Sequence, residues 1–130
     1  FDTSAYSQLL RGNPAASKAL QSADKVFIPS FVLAELRFGH ASGSKMQENE
    51  KLLNRFIAAQ KVQVLLPDHA TTDYFVATAL YARKKGVALA SHDIWIAALA
   101  QQWDAKLLTY DRDFAHLNYP DLKLRFVDPT

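Results

Sequence analysis

An α/β fold built on a mostly parallel sheet, with helices covering both faces, is what this sequence predicts. Three observations carry that expectation. Short apolar runs of strand length alternate with longer stretches of helical periodicity, turn and cap residues mark the junctions, and acidic residues stand just past the strands or inside the helices that follow. Parallel neighbours need a helix-length crossover between them, and those crossovers place helices on the sheet faces.

The elements follow in order. Phe1 leads into Asp2-Thr3-Ser4, and a helix is expected through Ala5, Leu9 and Leu10. A second helix runs from Pro14 to Ala23, with proline in the first turn, where its missing N–H costs nothing. One apolar residue before Asp2 is too little strand, so a few residues of the native protein are expected to precede Phe1. Val26-Phe27-Ile28 reads as a buried strand ended by Pro29, and Ser30 is placed to cap a helix from Phe31 to Phe38 that Gly39 stops. Met46 to Ala59 has the pattern of an amphipathic helix. Val62 to Leu66 is a strand stopped by Pro67, after which Asp68 is placed to cap a long helix that runs to Lys85 and ends at Gly86. Ser91 or Asp93 opens a helix through Trp103. Lys106 to Thr109 is a strand leading into Asp111, a helical turn covers Phe114 to Leu117, and Lys123 to Val127 is the last strand.

Length and composition fit one domain over residues 1–130, long enough to bury a substantial core. The chain has no cysteine, which removes disulfides, thiol nucleophiles and thiolate zinc sites together. Any metal must be held by oxygen or imidazole. No run approaches the roughly 18 apolar residues of a membrane span, and a signal-peptide layout is missing, so a soluble cytoplasmic protein with no membrane partner is expected. A net charge of +2 gives no extended basic surface for duplex DNA, so nucleic acid would be gripped locally.

The main clue to function is a set of carboxylates in apolar surroundings: Asp2, Glu35, Asp93 and Asp111. Burying a carboxylate costs several kcal/mol unless its charge is compensated. In an open parallel sheet the carboxyl ends of the strands share one edge, where ligands bind. All four acids are expected at that edge. Glu35 lies among Phe31, Val32, Leu33, Ala34, Leu36 and Phe38, which leave it no wide solvent face, although pairing with Arg37 or Arg55 is the plainer reading. Asp93 alone reads as a helix cap, and Asp2 and Asp111 alone read as turn residues. Together they ask for a cation, and hard oxygen ligands favour Mg²⁺ or Mn²⁺. Such a site suits phosphodiester hydrolysis, with metal needed both to acidify a water and to let phosphate approach the acids.

The runs FDTSAY, FVLAELRFG, SHDIWIAALA and LLTYDRDF, in this order and spanning nearly the whole chain, resemble the four motifs of PIN-domain ribonucleases, specifically the VapC-type toxins of toxin–antitoxin pairs. The resemblance implies a PIN-like three-layer α/β/α sandwich around a central, mostly parallel sheet of four or five strands. It implies a Mg²⁺- or Mn²⁺-dependent endoribonuclease, a homodimer, and inhibition by a cognate VapB-type antitoxin. By the same resemblance Asp2, Glu35, Asp93 and Asp111 match the catalytic, metal-binding acids, and Asp113 is read as either a fifth ligand or a group that supports the ligands. Thr3, Ser4 and Thr109 are read as hydroxyls that either orient metal-bound water or satisfy backbone groups at the strand ends.

Other residues take plainer readings. His92, beside Asp93, could hydrogen-bond phosphate or water but reads as a helix-start side chain without a catalytic part, and Trp95 and Trp103 read as core or dimer packing. Three other classes compete. A receiver-like signalling domain needs a lysine after a late strand, and Lys106 to Thr109 ends in none. A dehalogenase-type phosphatase needs an acid two residues after its nucleophile, where Ser4 stands after Asp2. An interaction protein that keeps the fold without the chemistry is the remaining alternative.

Overall fold

The computed structural model of the chain describes residues 1–117 and 122–130. Helices α1 (Thr3–Leu10) and α2 (Pro14–Ser22) precede strand β1 (Val26–Pro29), which is followed by α3 (Ser30–Ala41) and α4 (Met46–Ile57). Strand β2 (Val62–Leu65), helices α5 (Thr71–Lys84) and α6 (Ser91–Gln102), strand β3 (Lys106–Leu107), a 3₁₀ turn (Arg112–Leu117) and strand β4 (Arg125–Phe126) complete the order.

All pairing between these strands is parallel. β1 runs beside β2 from Val26 opposite Val62 to Pro29 opposite Leu65, and β3 beside β4 through Lys106 with Arg125 and Leu107 with Phe126. The single sheet expected from the sequence is thus resolved as two pairs, joined by the start of the chain. The Phe1 nitrogen donates to the Phe27 carbonyl at 2.8 Å, and the Asp2 nitrogen to the Leu108 carbonyl at 3.4 Å. These two residues act as a rudimentary strand between β1 and the segment after β3. Asp2 is thereby held near the end of both pairs.

Helices pack in two groups. α1 lies against α2 and α3, and α3 against α4, with α3 and α4 also touching β1 and β2. α5 and α6 form the second group, with α6 against β3. One core cluster connects both, through Ile28, Val32, Leu36, Ile96, Leu107 and Phe114. The two tryptophans pack within the chain, Trp95 on Phe75 at 4.4 Å between ring centroids and Trp103 on Phe27 at 5.6 Å. No described helix is long and apolar enough to cross a membrane.

Some local expectations change. Ser30 does not cap α3: Pro29 occupies the cap position and no side chain bonds the first turn. Nor does Gly39 stop the helix, which continues to Ala41. A helical glycine costs about 1 kcal/mol relative to alanine, and contacts with α4 act against that cost. Arg37 Nε lies 3.4 Å and His40 Nδ1 3.0 Å from the Glu50 carboxylate, so this turn is held from outside. Ala70 holds the cap position of α5, and the expected cap residue Asp68 bonds the helix's first residue from two positions further back. Its carboxylate accepts from the Thr71 nitrogen at 3.0 Å while its own N–H donates to the Thr71 hydroxyl at 2.8 Å, a reciprocal cap. Hydrogen bonds from Gln102 and then Thr71 hold the Asp68 carboxyl below its ordinary range. Gly86 ends α5 as expected, with φ +71°, where a side chain would be strained.

α6 carries Asp93, and its placement depends on α5. Gln101 donates to the Thr78 hydroxyl at 2.8 Å and to the Ala97 carbonyl at 3.1 Å, a buried polar tie between the two helices. Thr78→Val leaves one Gln101 N–H unsatisfied, so it is expected to cost about 1–3 kcal/mol in urea denaturation. An unchanged midpoint would show that the tie contributes nothing.

Candidate metal centre

Asp2 is only 3% exposed, and both of its carboxylate oxygens accept hydrogen bonds. One oxygen accepts from the Ala5 nitrogen at 2.8 Å, capping α1, and from the Ser4 hydroxyl at 2.7 Å. The other accepts from the Thr109 hydroxyl. Both hydroxyls pass the connection on. Ser4 Oγ accepts from the Tyr110 nitrogen at 2.8 Å, and Thr109 Oγ1 from the Asp111 nitrogen at 3.0 Å. The start of α1 and the segment after β3 are therefore one hydrogen-bonded unit, with Asp111 at its edge. Thr3 differs: its hydroxyl is buried and has no hydrogen-bond partner among the described residues.

Asp93 is not a cap. Ala90 holds the cap position of α6, no side chain bonds that first turn, and the Asp93 carboxylate stands among other acids. Carboxylate oxygens of Asp93, Asp111 and Asp113 all lie within 4.8 Å of one another. At roughly 5 Å, two unit charges repel by about 1 kcal/mol in bulk water and about 3 kcal/mol at protein-surface screening. Burial, and then the neighbouring Asp111 carboxylate, push the Asp93 carboxyl above its ordinary range; His92 opposes this, and Asp113 and Asp2 add to it. Asp111 also accepts from the Asp113 nitrogen at 2.9 Å, a turn that sets the two acids side by side.

Glu35 reaches the same place from α3. A crevice of about 210 Å³ is lined by Asp2, Glu35, Asp93 and Asp111, with Thr3, Ser4, His92 and Ile96 completing its walls. The four acids read from the sequence therefore meet, with Asp113 joining Asp93 and Asp111. Glu35 itself lies outside that close trio. Nor is it wrapped in apolar side chains as expected, because α3 buries only the stripe Val32, Leu33 and Leu36 and leaves the Glu35 side chain 49% exposed. Its partner is neither Arg37 nor Arg55 but His92, whose Nε2 lies 2.8 Å from the Glu35 carboxylate.

The donor set is all oxygen, hard and anionic, and one of its members is unusually ready to take a proton. Those are the properties of a site suited to a hard divalent cation rather than to zinc. Sequence reasoning missed the contact between His92 and Glu35. Its only signal was the adjacency of His92 to Asp93, since the contact with Glu35 spans 57 positions and exists only in the fold.

A family model described as PIN domain matches residues 1–118. Among solved structures, VapBC2 from Rickettsia felis bound to a promoter DNA fragment is similar, with a TM-score of 0.80 and 23% identity over 98% of this chain and 96% of that one. VapBC-1 from nontypeable Haemophilus influenzae is similar with a TM-score of 0.80 and 22% identity, covering 98% of this chain and 95% of the other. FitAcB from Neisseria gonorrhoeae follows at 0.73 and 23%, over 98% and 95%. No curated protein matches the chain.

Two substitutions separate acids that serve the fold from acids that strain it. A carboxyl whose folded-state pKa is raised binds protons better folded than unfolded, so Asp93 costs no stability below the ordinary 3.8 and an increasing amount as pH rises through its folded value. Asp93→Asn should abolish that slope and, without metal at neutral pH, melt at or above the wild-type temperature. Asp2→Ala should instead lose about 1–3 kcal/mol, having removed a helix cap and the acceptors for two hydroxyls. Thermal melts in EDTA across the acid range check both; a strongly destabilised Asp93→Asn would mean that this acid supports the fold.

Proposed function

From the premise that this chain belongs to the PIN-domain family, we propose that it is a divalent-metal-dependent endoribonuclease acting as the toxin of a VapBC-type pair. The observation that carries the reading is the convergence of Asp2, Glu35, Asp93 and Asp111 on one crevice, with Asp113 beside it. Uncompensated, that concentration of negative charge repels a phosphodiester.

Asp93, Asp111 and Asp113 would hold Mg²⁺ or Mn²⁺, with Glu35 and Asp2 contributing charge from the lining of the same crevice. When bound, the cation supplies charge compensation for these acids, an acidified water and a counter-charge for the phosphoryl oxygens. The protein's own residues do the rest. Asp2, fixed by Ser4, Ala5 and Thr109, holds the floor of the crevice rigid and keeps Asp111 in place. Thr3 lines the same crevice, and its buried hydroxyl, without a partner among the described residues, would support a water or phosphate oxygen only once that ligand is seated. Ser4 and Thr109 are already committed to the Asp2 carboxylate, so their part is to position that acid.

Water attacking phosphorus would break the bond to the ribose 3′ oxygen, leaving a 5′-phosphate on one fragment and a 3′-hydroxyl on the other. The proposed partners are RNA as substrate, a VapB-type antitoxin and a second copy of the chain, in the cytoplasm. Similarity to the VapBC complexes from Rickettsia felis and Haemophilus influenzae supports the antitoxin.

RNA cleavage should require Mg²⁺ or Mn²⁺, vanish in EDTA, fall by at least about 100-fold in Asp93→Asn, and yield 5′-phosphate ends. Cleavage that survives EDTA and leaves cyclic phosphate would contradict the reading, and no cleavage of any RNA would favour an interaction protein that has kept the fold. Because protons compete for the same oxygens, Mn²⁺ affinity should drop as the pH is lowered toward the raised Asp93 value. Isothermal titration at several pH values reads this directly, and a flat profile would count against the site.

A further inference from the structure

The imidazole of His92 is gripped by one turn of α3. Phe31 and Glu35 are four residues apart on that helix and so share a face. The Phe31 ring meets the imidazole edge to face, with centroids 5.1 Å apart and planes at 78°, and the Glu35 carboxylate lies 2.8 Å from its Nε2. His92 also stands next to Asp93 in the first turn of α6. This contact is a polar link between α3 and α6, and it joins the two acids those helices bring to the crevice.

We propose that His92 is a positioning residue that locks Glu35 into the crevice and fixes its placement relative to Asp93. The inference rests on the metal-nuclease reading above and assigns His92 a part in it. The physical argument is one of conformational freedom. Glu35 sits on the exposed side of α3, its side chain 49% exposed, and an untethered glutamate there samples many rotamers. Pairing of one carboxylate oxygen with the His92 imidazole selects a rotamer that lines the crevice and leaves the other oxygen free of that contact. Fold stability is not the reason for the contact, because solvent-exposed pairs contribute little to it. Phe31 keeps the imidazole itself from swinging away.

The test uses the full chain with His92→Ala, His92→Gln and Glu35→Ala, alone and combined, and reads Mn²⁺ binding by electron paramagnetic resonance beside the Mg²⁺ dependence of cleavage. His92→Ala should weaken Mn²⁺ binding by about 10-fold or more and raise the Mg²⁺ needed for half-maximal cleavage by a similar factor. Its melting temperature should stay that of the wild type. His92→Gln, whose amide can donate to the same carboxylate, should recover most of the loss. In a Glu35→Ala background His92→Ala should cause no further loss, because the partner it positions is gone. Unchanged Mn²⁺ affinity in His92→Ala, or an equal loss with and without Glu35, would overturn the proposal while leaving the metal centre intact. A wild-type chain that binds no Mn²⁺ would overturn the metal centre and this inference together.

Discussion

A carboxylate buried as deeply as Asp2 must be matched by donors, and the donors it collects decide where the acid-bearing segments of this chain meet. Ser4 and Ala5 bring the start of α1; Thr109 brings the segment after β3 and, through its own hydroxyl, the nitrogen of Asp111. The backbone of Phe1 and Asp2 bridges β1 to the segment after β3. Sheet continuity and placement of the acids are thus one network. An aspartate that looks like a turn residue in the sequence is a turn residue, and also the anchor of the crevice.

The other acids are arranged on the opposite principle. Asp93, Asp111 and Asp113 are placed where they repel one another, and Asp93 is pushed above its ordinary range by burial and by Asp111. The fold gains nothing from that crowding. What holds these residues in place is packing elsewhere: the Gln101–Thr78 tie that seats α6 on α5, and the Asp111–Asp113 turn that follows β3. Strain concentrated in one crevice and offset by the surrounding core is the usual mark of a site shaped for a ligand.

Much of this was legible in the sequence because strand and helix periods differ and because the acids stand at junctions between them. The order of elements, the caps at Asp2 and Asp68, the stop at Gly86 and the meeting of the four acids all follow from local pattern plus parallel topology. Gly39 misled because its cost is small beside the α3–α4 contacts made by Arg37 and His40. Ser30 misled because a capping residue type does not oblige its hydroxyl to bond. Glu35 is at the crevice as expected, yet on an exposed helix face, because a count of apolar neighbours along the chain says nothing about which stripe is buried. The link from His92 to Glu35 was invisible for the same reason: it depends on how α3 and α6 lie, which no local pattern encodes.

The central claim is that these acids form one centre for a divalent cation. Locating Mn²⁺ by anomalous diffraction from crystals of the full chain tests it most directly. The account predicts a peak between the carboxylates of Asp93, Asp111 and Asp113, inside the crevice bounded by Asp2 and Glu35. Manganese found only at surface carboxylates away from that crevice would contradict it.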